Sequence, residues 1–122
     1  MRAVVIEDGR LEMRDRPTPE PVADEVVVKV AGAGVNRADL LQRIGVYPAP
    51  AGWPADIPGM EFAGTITASG PLAEVEDGAR VMGIVGGGAQ ATHVLTRADL
   101  CVAVPHSVDL VAAGGIPEVF IT

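Results

Sequence analysis

EVVVKV, Glu25–Val30, is the stretch on which the reading of the fold turns. It is a β-branched run interrupted only by Lys29, a pattern that packs well on a pleated surface and crowds a helix. It predicts a strand. Downstream, NRADLLQRI (Asn36–Ile44) carries helical patterning: Leu40, Leu41 and Ile44 form an apolar stripe, Asn36 is a good N-cap, and Gly45 stops the helix. Outward toward the N-terminus, Arg2–Ile6 reads as a strand, and the Asp8-Gly9 turn leads into a second, Leu11–Arg14. Pro17, Pro19 and Pro21 forbid helix and favour an extended crossing. Outward toward the C-terminus, Tyr47–Pro58 holds Pro48, Pro50, Pro54 and Pro58 and is a loop long enough to suggest function. Glu61–Ala68, Ala79–Val85, Ala89–Leu95 and Cys101–Val104 read as strands, with a turn at Glu76-Asp77-Gly78, and Ser107 caps a short helix through Ala113. These elements make a mainly β fold with peripheral α, a small barrel of short strands.

Composition agrees. The 122 residues suit one domain, and 15 Gly with 10 Pro demand many turns. Aromatics are 3% of the chain, so the core must be built from Val, Ala, Ile and Leu. The net charge is −7 and the basic residues are scattered singly, which argues against nucleic acid and against an anionic membrane surface. No apolar run approaches the ~20 residues that span a bilayer, and Met1-Arg2 is followed by no signal-peptide core. The single Cys101 cannot form an internal disulfide. A cytoplasmic protein is expected.

Several familiar signals fail. Gly32-Ala33-Gly34-Val35-Asn36-Arg37 starts like a dinucleotide fingerprint but has Arg37 where the third glycine belongs, and reads as a kink at a strand end. Gly86-Gly87-Gly88 lacks the Lys-Ser/Thr of a phosphate loop, and no Gly-x-Ser-x-Gly elbow is present. His93, His106 and Cys101 lack metal-ligand spacing; His93 reads as an exposed strand residue and Cys101 as a small buried hydrophobe. Three carboxylates stand out because apolar or glycine neighbours surround them: Asp39, Glu61 and Glu118. Buried carboxylates are costly unless paired or hydrogen-bonded, so they mark either a site or a structural ion pair.

The same segments resemble a known family. Gly34–Arg43 with Gly45 and Tyr47 resembles the active-site helix of zinc-independent quinone oxidoreductases, the ζ-crystallin-like and p53-inducible-type branch of the medium-chain dehydrogenase/reductase superfamily. Pro58–Ile66 (PGMEFAGTI) resembles that family's Gly-x-Glu-x-x-Gly-x-Val signature. Gly78–Met82 resembles its Gly-Asp-Arg-Val strand with Ala79 in place of Asp, and Gly88–Val94 its Gly-x-x-Ala-Glu-Tyr-Val strand. Ile116–Thr122 resembles the hinge that enters the cofactor domain. The match covers nearly the whole chain.

The resemblance implies a GroES-like, partly open β-barrel over residues 1–115 and a hinge over 116–122, with the NADPH-binding Rossmann domain absent from this chain. It implies no zinc, because Asn36, Met60 and Glu118 stand at the positions where zinc-dependent relatives keep their ligands, and Ala38 replaces the proton-relay hydroxyl. It implies hydride transfer to a small quinone or enone, with Asn36, Asp39, Tyr47, Glu61 and Glu118 as catalytic-site residues and Asn36, Arg37, Tyr47 and Thr122 facing NADPH. Asn36 orients cofactor or substrate, or simply caps its helix. Asp39 orients Asn36, or pairs with Arg37 or Arg43. The chain alone is expected to be inactive and to need a separate cofactor-domain chain. The alternative is a free-standing GroES-like binding or scaffold module, a homo-oligomer joined through the apolar run Val119-Phe120-Ile121. A chaperonin-10-like ring is disfavoured, because it has no use for the helix or for Glu61.

Overall fold

The EVVVKV run is the first part of β3, the strand around which the structure is built. The computed structural model describes residues 1–121. In chain order its elements are β1 (Arg2–Glu7), β2 (Arg10–Asp15), β3 (Glu25–Ala33), α1 (Arg37–Arg43), β4 (Glu61–Ser69), β5 (Arg80–Ile84), β6 (His93–Arg97), β7 (Cys101–Ala103), α2 (Leu110–Ala113) and α3 (Pro117–Ile121). A five-stranded sheet has the order β6-β3-β4-β5-β7, and β1-β2 is a separate hairpin. All these pairings are antiparallel, so no βαβ unit occurs among the described residues. The fold is mainly β with open sheets and a few short peripheral helices, as the sequence implies.

The core follows from β-strand alternation. Val26 and Val28 turn inward from β3 and meet Phe62 and Ile66 of β4, Val81 of β5 and Val94 of β6, all buried. Shape is set by glycine at two close approaches. A Cβ on Gly64 would lie 2.0 Å from the Lys29 carbonyl oxygen, and one on Gly32 would lie 2.4 Å from that of Val111, so β3 packs directly on α2. The kink expected at Gly32 is a register shift between Val30 and Gly32, and β3 continues through it to Ala33. The hairpin turn has positive φ at both Asp8 (50°) and Gly9 (74°), the combination a tight two-residue turn requires.

Three local expectations are corrected. The strand expected at Ala89–Leu95 begins at His93, because residues 90–92 pair with β1 instead: the Val4 N–H reaches the Gln90 carbonyl at 2.9 Å and the Thr92 N–H that of Arg2 at 2.8 Å. The helix expected from Ser107 is capped by Asp109, whose side chain accepts from the Ala112 N–H, and it has only four residues. Of the apolar stripe expected on α1, Leu41 is half-buried and the other two residues are turned outward. Leu40 and Ile44 are exposed, while Asp39 and Gln42 are the buried residues of that helix. Val119 and Phe120 of α3 are also exposed, and Thr122 lies outside the described residues. Among the described residues no helix is long and apolar enough to cross a membrane.

Candidate functional site

Two buried carboxylates organise the end of the sheet where β3, β4, α1 and α3 converge. Glu61, the first residue of β4, is 2% exposed. Its Oε1 accepts from the Asn36 amide Nδ2 at 3.1 Å, and its Oε2 accepts from the Glu118 backbone N–H at 2.8 Å. Pro117 opens α3 and has no N–H of its own, so Glu61 satisfies one of the first-turn donors that a helix leaves unpaired. Gly34 makes room for this arrangement, since a Cβ there would lie 1.9 Å from Glu61 Oε1.

Asp39 is the second organiser, at 5% exposure. Its Oδ2 accepts from the Asn36 N–H at 2.8 Å and from Gln90 Nε2 at 3.1 Å, and its Oδ1 accepts from the Gly59 N–H at 3.1 Å. Gly59 has φ +111° and lies so close to Gln90 that a Cβ would sit 2.5 Å from the Gln90 nitrogen. Asp39 therefore ties the start of α1 to the loop before β4 and to the segment leading into β6. Of the two roles expected for Asp39, the structure shows the contact with Asn36 and not the ion pair. Arg43 instead donates to the Gly9 carbonyl at 3.1 Å, and Arg37 is exposed without a hydrogen bond or ion pair among the described residues. The hydrogen bonds of both carboxylates come from amide and backbone N–H donors rather than from cations, so their buried oxygens are not left unpaired.

Asn36 stands at the N-cap of α1 in extended conformation, φ −121° and ψ 160°, with Asp39 in the capping-box position. Its amide also reaches across to Glu61, so it joins the two carboxylates into one network. The structure thus brings together Asn36, Asp39, Glu61 and the backbone of Glu118. Tyr47 stands apart from them, exposed beyond the far end of α1, where its N–H meets the Leu41 carbonyl at 3.3 Å. Thr122 is not described.

The donor set does not suit zinc. An amide already bonded to a carboxylate and the half-buried thioether Met60 are poor ligands, and no group of three His, Cys, Asp or Glu among the described residues could hold an ion. Cys101 and His93 make no bond to this network. Both are half-buried, which corrects the expectation of an exposed His93 and a buried Cys101. Burial and the neighbouring Asp99 push the Cys101 thiol up to about 11, so it is not a reactive thiolate. Desolvation first, then the N-terminal ammonium and Lys29, hold His93 below the usual imidazole value.

Sequence reasoning missed Gln90 and the roles of Gly34 and Gly59. Gln90 is a lone amide between Ala89 and Ala91, a weak signal that only the neighbouring chain explains. Apolar side chains next in sequence to the network residues are exposed: Val35 beside Asn36, Leu40 beside Asp39, and Val119 and Phe120 after Glu118, Phe120 by 80%.

Comparison with known proteins matches residues 22–106 to the family described as the alcohol dehydrogenase GroES-like domain. The chain is similar to a phenolphthiocerol/phthiocerol polyketide synthase polypeptide of Mycobacterium tuberculosis, at 37% identity over 111 residues covering 88% of this chain and 5% of that protein. Among solved structures it is similar to an alcohol dehydrogenase superfamily protein from Novosphingobium aromaticivorans, with TM-score 0.89, 33% identity, and coverage of 100% of this chain and 39% of that one. It is also similar to the quinone oxidoreductase from Thermus thermophilus, solved in complex with NADPH, with TM-score 0.82, 32% identity, and coverage of 100% and 38%. The chain therefore spans well under half the length of each of these proteins.

Proposed function

The chain belongs to the alcohol dehydrogenase GroES-like domain family, and from that premise we propose that it is the substrate-side domain of a cytoplasmic, zinc-independent, NADPH-dependent reductase of small quinones or conjugated enones. The observation that carries this reading is Asn36, an amide held at the head of α1 by the buried Glu61 and Asp39. With its backbone N–H held by Asp39 and its Nδ2 held by Glu61, Asn36 can present the rest of its amide to a nicotinamide or a carbonyl at little entropic cost. Arg37 and the Tyr47 hydroxyl are exposed and uncommitted among the described residues, so they remain available to a cofactor. The exposed apolar residues beside them suit the inner face of a cleft whose opposite wall is a second domain.

NADPH, when bound, supplies the hydride; the pyrophosphate turn that would hold it is absent from this chain. A quinone or enone carries its own electron sink, so positioning and water exclusion suffice where an alcohol would need a Lewis acid and a proton relay. In this reading Glu61 and Glu118 act as positioning groups beneath the site, and residues 116–122 form the hinge to the cofactor domain.

The test joins the chain at its C-terminus to the NADPH-binding domain of the Thermus thermophilus relative and follows NADPH oxidation with benzoquinone and with a conjugated enone. The joined protein is expected to turn over without added metal, and Asn36→Ala is expected to lower kcat by about tenfold or more. The 122-residue chain alone is expected to bind no NADPH. One tightly held zinc per chain, with activity lost to a chelator, overturns the zinc-independent reading. NADPH binding by the chain alone overturns the placement of the cofactor.

A further inference from the structure

β6 is an edge strand, and its free edge opens onto a groove lined by none of Asn36, Asp39, Tyr47, Glu61 or Glu118. The direction of its backbone groups follows from the ladder with β3. The Val30 N–H reaches the Thr92 carbonyl and the Ala98 N–H reaches that of Asp24, each at 2.9 Å. With the register Val28↔Val94 and Val26↔Thr96, the even-numbered residues of β6 direct their N–H and C=O to β3. His93 and Leu95 direct theirs away. β1 covers this edge only as far as Thr92, whose N–H donates to the Arg2 carbonyl. Beyond that point the outward groups of His93 and Leu95 have no partner among the described residues.

A pocket of about 330 Å³ runs along this edge, lined by all of β6, by Trp53 and Pro54, and by Pro17 and Pro19 of the extended crossing. Thr96, also a lining residue, carries a buried hydroxyl oxygen with no hydrogen-bond partner among the described residues. The geometry points to this groove as a docking site for an extended peptide that adds to β6 as a further antiparallel or parallel strand. Three features select that occupant. Donor and acceptor pairs facing outward at every second residue match another extended backbone, which a compact small molecule does not supply. The prolines in the walls offer no N–H to compete for the edge, and Trp53 offers an apolar seat for an alternate side chain. A second copy of the chain would bring its own Pro17, Pro19 and Trp53 walls against these, whereas a bare strand has none.

Trp53 is the only tryptophan of the chain, so its fluorescence reports occupancy directly. The probe is the end-capped pentapeptide acetyl-TVTVT-amide, added to the full chain beside a twin that is N-methylated at alternate residues. The expected result is a saturable change in Trp53 emission with the plain peptide, together with protection of the Leu95 amide from hydrogen exchange. Affinity is expected to fall about tenfold or more for the methylated twin and for Leu95→Pro, which removes an N–H that β3 does not use. If Leu95→Pro fails to fold, the methylated twin decides alone. No saturable change with the plain peptide overturns the proposal. So does equal affinity of the methylated twin, which would make the groove a merely apolar pocket, and so does self-association that Leu95→Pro abolishes and Phe120→Ser leaves unchanged, which would put a second copy on this edge.

Discussion

Asp39 and Glu61 are acidic side chains with almost no exposed surface and no cation beside them, and their hydrogen bonds set what each substitution must cost. Asp39→Ala strands the donors of Asn36, Gly59 and Gln90 together. It is expected to lower stability by about 2–4 kcal/mol, read as a shift in the urea midpoint at unchanged slope. Gly34→Ala needs no deletion to act, because its Cβ would displace the Glu61 carboxylate. Its expected effect is faster hydrogen exchange at the Glu118 amide, ahead of any change in the sheet. Cys101 makes a pH prediction with a defined sign. Its thiol is raised from 9.0 to about 11, so the unfolded chain loses that proton first. Its contribution to stability is present below about pH 9 and falls as the pH rises toward about 11. Alkylation of the folded protein is expected to stay slow across the lower part of that window and to accelerate toward its upper end, while the urea-unfolded chain reacts readily throughout.

At the scale of elements, α1 separates pattern from packing. Leu40 and Ile44 look like a buried stripe in the sequence, and truncating such residues in a core would cost about 2–5 kcal/mol. In the structure both face outward, so Leu40→Ser and Ile44→Ser are expected to change stability by no more than about 0.5 kcal/mol. In the joined protein of the activity test the same substitutions are expected to loosen the contact between domains. α2 tests the opposite case. It is too short for propensity to hold it, and Asp109→Ala removes the side chain that accepts from the Ala112 N–H. A loss of about 0.5–2 kcal/mol is expected by thermal unfolding, while Ser107→Ala is expected to be neutral.

For the whole molecule, the exposed apolar side chains next to Asn36 and on α3 ask for a partner. The exposure of Val119 and Phe120 also favours the second reading, in which copies of this chain cover one another there. Burial of side chains of this kind is worth about 1.5–3 kcal/mol each, against which association costs rigid-body freedom. The 122-residue chain is therefore expected to self-associate weakly as its concentration rises, with Phe120→Ser weakening the dimer in sedimentation and leaving the circular dichroism unchanged. A wild type that stays monomeric at high concentration removes the binding-module reading and leaves the reductase domain.

What the sequence determined by itself is local. β-branched runs meant strands, because a side chain branched at Cβ is stiff wherever the backbone is not extended. Asp8-Gly9 meant a hairpin, and the proline loop could only be a loop. The odd setting of Asp39 and Glu61 marked them, since a charge among apolar and glycine neighbours must be compensated somewhere. Where that compensation comes from was a tertiary matter. Glu61 meets Asn36 and Glu118 across 25 and 57 residues of chain, and Gln90 reaches Asp39 across 51. Likewise β1 claims residues 90–92 from the strand their pattern suggests, and α1 buries its polar face because the loops beside it offer Asp39 the donors of Gly59 and Gln90 and offer Gln42 the Ala55 carbonyl. Periodicity reports which residues share a face; only the neighbours brought in from elsewhere in the chain decide which face is buried.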